Sequence, residues 1–317
     1  MATLINSITG ATIKLLPVHL FGRLAETCHT VFDNHYISRV HATISWTGCT
    51  WILRDSSING TYIDRVLAAG TTQHVLALNS QLQFGNLDAD PWQVACLAPP
   101  VTMLVPLHPN LPYIELDKII ALPSEQEPAV VISEIAPGDW LCESEMGQAL
   151  LKSGDLVGSA NHIWRLVIAN PFQDTIVDPW PIEDACTEVR LHFHASQNEE
   201  HVQLKIHIGQ TIIDLQERTH HYVLLLLARQ YTQDTEAQRI ETERGWIDKE
   251  QLCRQMGVDL NHLNILIFRF RKQLMNALPP HVQPPSIVQT RVGQVRIQCA
   301  EISITGGLPT HTQHQSS

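Results

Sequence analysis

The decapeptide ISRVHATISW, Ile37 to Trp46, decides how the front of this chain folds. Its second half alternates apolar Ala42, Ile44 and Trp46 with polar Thr43 and Ser45, the pattern of a strand with one buried face. Its first turn instead carries Ser38, Arg39 and His41, a hydroxyl, a guanidinium and an imidazole within four positions. The strand therefore hangs from a loop that carries chemistry.

Working outward, FGR precedes this stretch at Phe21 to Arg23, and LRDSSINGTY follows at Leu53 to Tyr62. From residue 1 to about 98 the chain is a series of short apolar runs (TLINSI, ATIKLLP, HATISW, WILRD, TYIDRV, HVLAL, LQFG, WQVACLA) separated by turn residues. Short strands punctuated in this way indicate an antiparallel sandwich or barrel. Trp46, Trp51 and Leu53 are expected in its core. Gly60 is expected to take positive φ in a tight turn.

At 317 residues and 44% hydrophobic the chain can bury a sizeable core, and roughly 150 residues per domain implies two or three domains. Its net charge of -11 is uneven: residues 1–189 hold 8 Lys and Arg against 20 Asp and Glu, and residues 190–317 hold 13 against 12. Only the back of the chain is electrostatically suited to approach a polyanion. Seven scattered cysteines, none in a Cys-x-x-Cys pair, point to free thiols in a reducing compartment. With neither a leader pattern nor an apolar run of about 18 residues, a cytoplasmic protein without membrane insertion is expected.

Five prolines in APPVTMLVPLHPNLP, from Ala98 to Pro112, end the first domain. Residues 99–185 read as a proline-containing linker followed by a small β-rich bridging domain. Residues 186–300 change character. Strands EVRLHFHA, HVQLKIHI and QTIIDL lead to a helix opening at Thr219, and a second helix follows between a capping Asp248 and Gly257. A third helix, HLNILIFRFRKQLMNAL, is stopped by Pro279 and Pro280, and the strands SIVQTRV and QVRIQCA turn at Gly293. Residues 301–317 read as a disordered polar tail. The fold class is multidomain α+β.

Gly22-Arg23, then Ser38-Arg39-Val40-His41, then Asp55 through Thr61 follow the order and approximate spacing of the motifs of forkhead-associated (FHA) domains, and residues 1–98 resemble that family. The resemblance implies a phosphothreonine-binding β-sandwich. In it Arg23 and Ser38 grip the phosphate, Arg39 supports it or contacts the peptide, and Asn59 bonds the peptide backbone, with Ser57 and Ile58 beside it among the phosphopeptide-binding residues. Gly22, His41 and Gly60 are then structural, His41 propping the loops. A phosphate with nearly two charges and three strong acceptors suits an arginine fork combined with hydroxyl and amide donors. Ile58 departs from the threonine or serine often found there, which removes one hydroxyl contact.

Residues 186–300 resemble the winged-helix effector domains of bacterial response regulators, chiefly in LNILIFRFRKQL and the wing IVQTRVGQVRIQ. The resemblance implies that the third helix enters the DNA major groove, with Asn261, His262, Asn264, Arg269, Arg271, Lys272 and the wing's Arg291 as contacts. Leu263, Ile267, Phe270 and Leu274 share one helical face and are expected in the core. Leu266 and Phe268 stand where polar groups are usual, so a face bearing Ile265, Leu266 and Phe268 that binds protein or a second copy is the alternative.

The sequence contains no nucleophile elbow, no phosphate-cradling glycine loop ending in lysine and no metal-ligand helix, so neither an enzyme nor a metal or other cofactor is expected. The expectation is a phosphothreonine-dependent transcriptional regulator. Its partners would be a threonine-phosphorylated protein or Ser/Thr kinase, double-stranded DNA and, in the alternative, a second copy. The competing expectation is an adaptor whose winged helix binds protein.

Overall fold

The structure is a computed structural model that describes residues 1–68, 70, 72–108, 110–159, 162–169, 189–279 and 282–307. They fall into two compact units: Met1–Val105 with Pro112–Leu116 belongs to the first, and Asp117–Trp164 with residues 189–307 to the second.

In the first unit, alternation builds a β-sandwich. Ala42 and Ile44 are fully buried while Thr43 and Ser45, which alternate with them, are partly exposed, as a strand with one core face requires. One sheet orders its strands Thr12–Lys14, Thr3–Asn6, Trp92–Cys96, Gln81–Phe84, Thr61–Ile63 and Val66–Leu67. The other runs Thr30–Val31, Val18–Gly22, Ala42–Trp46, Trp51–Asp55 and His74–Val75. Between them lie Leu4, Phe21, Ile44, Trp51, Leu53, Leu82 and Phe84, each at most 2% exposed, with the Phe21 and Phe84 rings 5.0 Å apart. Trp46 packs at the edge of this core.

The second unit contains an antiparallel meander of four consecutive strands, Ile119–Ser124, Glu127–Ala136, Asp139–Ser144 and Gly147–Leu151. It also contains a four-stranded sheet ordered Thr211–Glu217, Val202–Ile208, Val189–Ala195 and Glu301–Gly306. Three helices pack with it: α1 (His221–Glu236), α2 (Lys249–Met256) and α3 (Leu260–Ala277). The hairpin strands Val288–Arg291 and Gln294–Ile297 follow, and Gln294–Ile297 also pairs with Ile247–Asp248.

Local signals place the helix ends. Asp248 accepts from the Glu250 and Gln251 amides at 2.9 and 3.1 Å, opening α2, and Gly257 closes it at φ 66°. Asp259 opens α3 by accepting from the His262 amide at 2.7 Å.

Two expectations are corrected here. Helix α1 begins at His221, with His220 at its cap and no side-chain capping bond, because Thr219 lies a residue too early to cap it. Glu301–Gly306, expected as tail, is a strand that pairs in parallel with Val189–Ala195. Its alternating Ile302 and Ile304 pack against the core and so hold it to the sheet. Residues 308–317, like Cys186 and residues 170–185 of the expected bridging domain, lie outside the described residues. No helix among the described residues is long and apolar enough to cross a membrane.

Candidate functional sites

The first candidate lies where three loops of the sandwich are tied together. Strand Val18–Gly22 ends at Gly22, where a Cβ would sit 2.3 Å from the Arg39 carbonyl, so only glycine lets these backbones approach. Beyond it the Arg23 amide donates to the Ser38 carbonyl at 3.2 Å and the Leu24 amide to the Arg39 carbonyl at 3.1 Å. The arginine of one loop is thereby registered against the serine and arginine of the next.

His41 braces the second loop against the third. It is fully buried. Its Nδ1 accepts from the Ser38 amide at 3.1 Å, so Nε2 carries the proton and donates to the Gly60 carbonyl at 3.2 Å. Burial holds the imidazole below its ordinary pKa, against an opposing pull from Asp55, which keeps it neutral and in that tautomer.

The third loop closes on itself through Asp55, 4% exposed, whose carboxylate accepts from the Ser57 and Thr61 hydroxyls, each at 2.8 Å. Ser57 Oγ in turn accepts from the Gly60 amide at 2.8 Å, and Gly60 takes φ 87° as expected. Asp55 opens the third motif, where the family resemblance gives it no role. Its signal was a carboxylate two residues before a serine and six before a threonine, all three able to bond within one turn.

What remains free faces solvent. Arg23, Arg39 and Asn59 are exposed, and Ser38 is half-buried. The Ile58 amide donates to Ser38 Oγ at 3.2 Å, which leaves that hydroxyl its own hydrogen to donate. Asn59 Nδ2 donates to the Tyr36 carbonyl at 2.8 Å, which fixes the amide's orientation and leaves its oxygen and second hydrogen for a ligand. Ile58 projects outward at 92% exposure. Two guanidinium groups, a hydroxyl and an oriented amide thus ride on loops bonded to one another, while Gly22, His41 and Gly60 lie beneath them, buried. A neighbouring cleft of about 580 Å³, whose lining includes Asp33, Tyr36, Asp88, Asp90 and Trp92, suits a cationic or aromatic group better than an acid.

The second candidate is the outer side of α3 with the hairpin, and here the structure departs from expectation. Leu263, Ile267, Phe270 and Leu274 are buried as expected. Leu266 and Phe268 are buried too, at 5% and 1%, so neither lies on an exposed face, and Ile265 is half-buried. The meander packs against α3, its Ile119, Ala121 and Val131 joining the helix's core cluster.

Four of the seven proposed DNA contacts lie along that seam. Arg271, with 14% of its side chain exposed, pairs with the 7% exposed Glu143 at 2.7 Å and donates to the Val288 carbonyl at 3.0 Å. Lys272 pairs with Glu125 at 2.6 Å, and Asn261 Nδ2 donates to the Gln126 carbonyl at 3.1 Å. Asn264 lines a small void with Val131, Glu143 and Arg271. On the hairpin, Arg291 lies 4.3 Å over the Trp246 ring and bonds Gln294 at 2.6 Å and Glu243 at 3.3 Å. His262 and Arg269 are exposed. The seven residues therefore do not form one open surface. Among the described residues no group of three or more His, Cys, Asp or Glu side chains gathers as a metal site.

Comparison with known proteins bears on the first candidate alone. No curated protein matches the chain. The structure from a structural and functional analysis of phosphothreonine-dependent FHA domain interactions is similar at 23% identity over 30% of this chain and 95% of that one, with a TM-score of 0.27. Mycobacterium tuberculosis EmbR in complex with a low affinity phosphopeptide is similar at 24% identity over 29% of this chain and 24% of that one, TM-score 0.26. The FHA domain of an Arabidopsis thaliana hypothetical protein is similar at 19% identity over 31% of this chain and 87% of that one, TM-score 0.28. The family model of the FHA domain matches residues 19–85, the span that holds Gly22, Arg23, Ser38, His41, Asn59 and Gly60. The chain carries an FHA domain in its N-terminal β-sandwich.

Proposed function

We propose that this chain is a phosphothreonine-dependent signalling protein whose FHA domain captures a threonine-phosphorylated partner, a Ser/Thr kinase among the candidates. The observation that carries this reading is the brace from Ser38 through His41 to Gly60, which holds Arg23, Ser38 and Asn59 on mutually bonded loops. Arg23 supplies paired donors to phosphate oxygens, the Ser38 hydroxyl a further donor, and Asn59 both an acceptor and a donor for peptide backbone. A carboxylate has half the charge and fewer acceptors, so acidic peptides bind far more weakly. The roles are those of a receptor, and an enzymatic activity is no part of the reading.

The test is titration of a phosphothreonine peptide library against wild type and Arg23→Ala. Phosphorylated peptides should bind and their unphosphorylated counterparts should not. Arg23→Ala should weaken binding by about tenfold to a hundredfold, the scale of one lost charge-assisted contact. Equal binding of both peptide forms would sink the reading.

For output we propose DNA binding by the C-terminal part, as a transcriptional regulator acting in the cytoplasm. Its support is the order of sheet, three helices and hairpin, with Arg269, Arg271 and Lys272 clustered late in α3. The adaptor alternative, with protein as the target of α3, is favoured by the packing of a β-meander against the helix. A mobility shift with duplex DNA at low salt, repeated with Arg269→Ala, separates the two. Binding that weakens steeply with salt supports the regulator, and its absence supports the adaptor.

A further inference from the structure

The meander and α3 meet through an apolar centre, where Ile119, Ala121 and Val131 join the helix's core cluster, and along a charged seam beside it. Residues 117–156 hold eight Asp and Glu against two Lys. Two of those carboxylates, Glu143 and Glu125, sit on Arg271 and Lys272 at 2.7 and 2.6 Å. A carboxylate placed on each of two adjacent helix cations occupies the position that a phosphate oxygen would take from a bound polyanion.

The seam is also costly to maintain. Glu143 and Arg271 are both largely buried, and a buried ion pair recovers little more than it loses in desolvation. Beside them lie the buried Lys249, whose ammonium burial pushes below the usual lysine range, and the Thr290 hydroxyl, buried without a hydrogen-bond partner. By contrast the meander has strand-to-strand pairing of its own along all four strands. Separation therefore exposes the apolar contact at Ile119, Ala121 and Val131 as well as the ion pairs, while the meander's own ladder lets it come away without unfolding.

We propose that the meander is a releasable acidic cover that holds the cationic side of α3 shut, and that its departure frees Asn261, Asn264, Arg271 and Lys272 together. As a mask over a DNA-reading face the idea rests on the regulator reading above; as a release event it does not.

Two variants of the full chain test it, with hydrogen exchange as one readout and binding of a random-sequence DNA duplex as the other. Glu143→Gln keeps the shape of the side chain and removes its charge, leaving Arg271 buried without a counter-ion. Exchange in α3 residues 261–275 should rise about a hundredfold or more, the scale of a broken buried pair. Glu125→Lys, at the exposed rim and therefore safe for folding, sets two cations face to face and should raise the same exchange severalfold. In both variants the sheet of Val189–Ala195 and Val202–Ile208 should keep its protection, and DNA affinity should rise above wild type.

Unchanged α3 exchange in both variants overturns the cover. So does exchange that rises equally in α3 and in that sheet, because then the unit has melted and nothing was released. Selective exposure of α3 without any gain in DNA binding upholds the release and refutes the regulator reading.

Discussion

Arg23 and His41 divide one task between charge and geometry. Arg23 is exposed and spends nothing on the core, so its removal should change affinity and leave stability nearly untouched. His41 is fully buried with a partner on each ring nitrogen. His41→Ala strands the Ser38 amide, leaves the Gly60 carbonyl with only the Gly85 amide as donor, and opens a void; thermal denaturation should show a loss of about 2–4 kcal/mol. Phosphopeptide affinity should fall with it even though His41 touches no ligand, because Ser38 loses its anchor. Gly22→Ala separates the two effects differently. Its methyl would lie 2.3 Å from the Arg39 carbonyl, so the Ser38-Arg39 loop must move. Peptide titration should show loss of binding, with a much smaller change in far-ultraviolet circular dichroism than unfolding gives. At this scale most of the site was legible in the sequence, since Arg23, Ser38 and Asn59 are named by short motifs whose spacing the sandwich preserves. Asp55 was less legible because its role is satisfied inside its own loop.

Elements were readable wherever a local signal governs them. Asp248 and Gly257 bracket α2, and Asp248→Ala should cost about 1 kcal/mol in chemical denaturation, the usual value of one N-cap. The strand Glu301–Gly306 was missed because it is short and joins its sheet in parallel beside a strand more than a hundred residues earlier. Yet Ile302 and Ile304 alternate with polar neighbours, and that signal was present. The outer face of α3 was misread for a related reason. Leu266 and Phe268 look out of place on a groove-reading helix, and both are buried in the one core cluster that α3 shares with the rest of its unit. Periodicity identifies a buried position, but it does not identify what covers it.

At the scale of the molecule, buried neutral histidines recur in both units and link stability to pH. Burial lowers His19 in the first unit from its ordinary 6.5 to about 3, and with it the nearby His29 cation pushes the same way. Burial lowers His220 in the second from 6.5 to about 4, only partly offset by its bond to Gln273 at 2.7 Å. In each case the unfolded chain takes up a proton near pH 6.5 while the folded chain does not, so the unfolded state binds more protons in between. Stability contributed by these groups is therefore complete above about pH 6.5 and is lost as pH falls toward 4, at roughly 1.4 kcal/mol per pH unit for each histidine. His220→Gln should flatten the second unit's share of that dependence, and His19→Gln the first's. Thermal melts from pH 7 to 4 should show both transitions moving down together in wild type, and one of the two moving less in each variant. Equal slopes in wild type and both variants would mean that carboxylate protonation, not histidine burial, sets the acid limit.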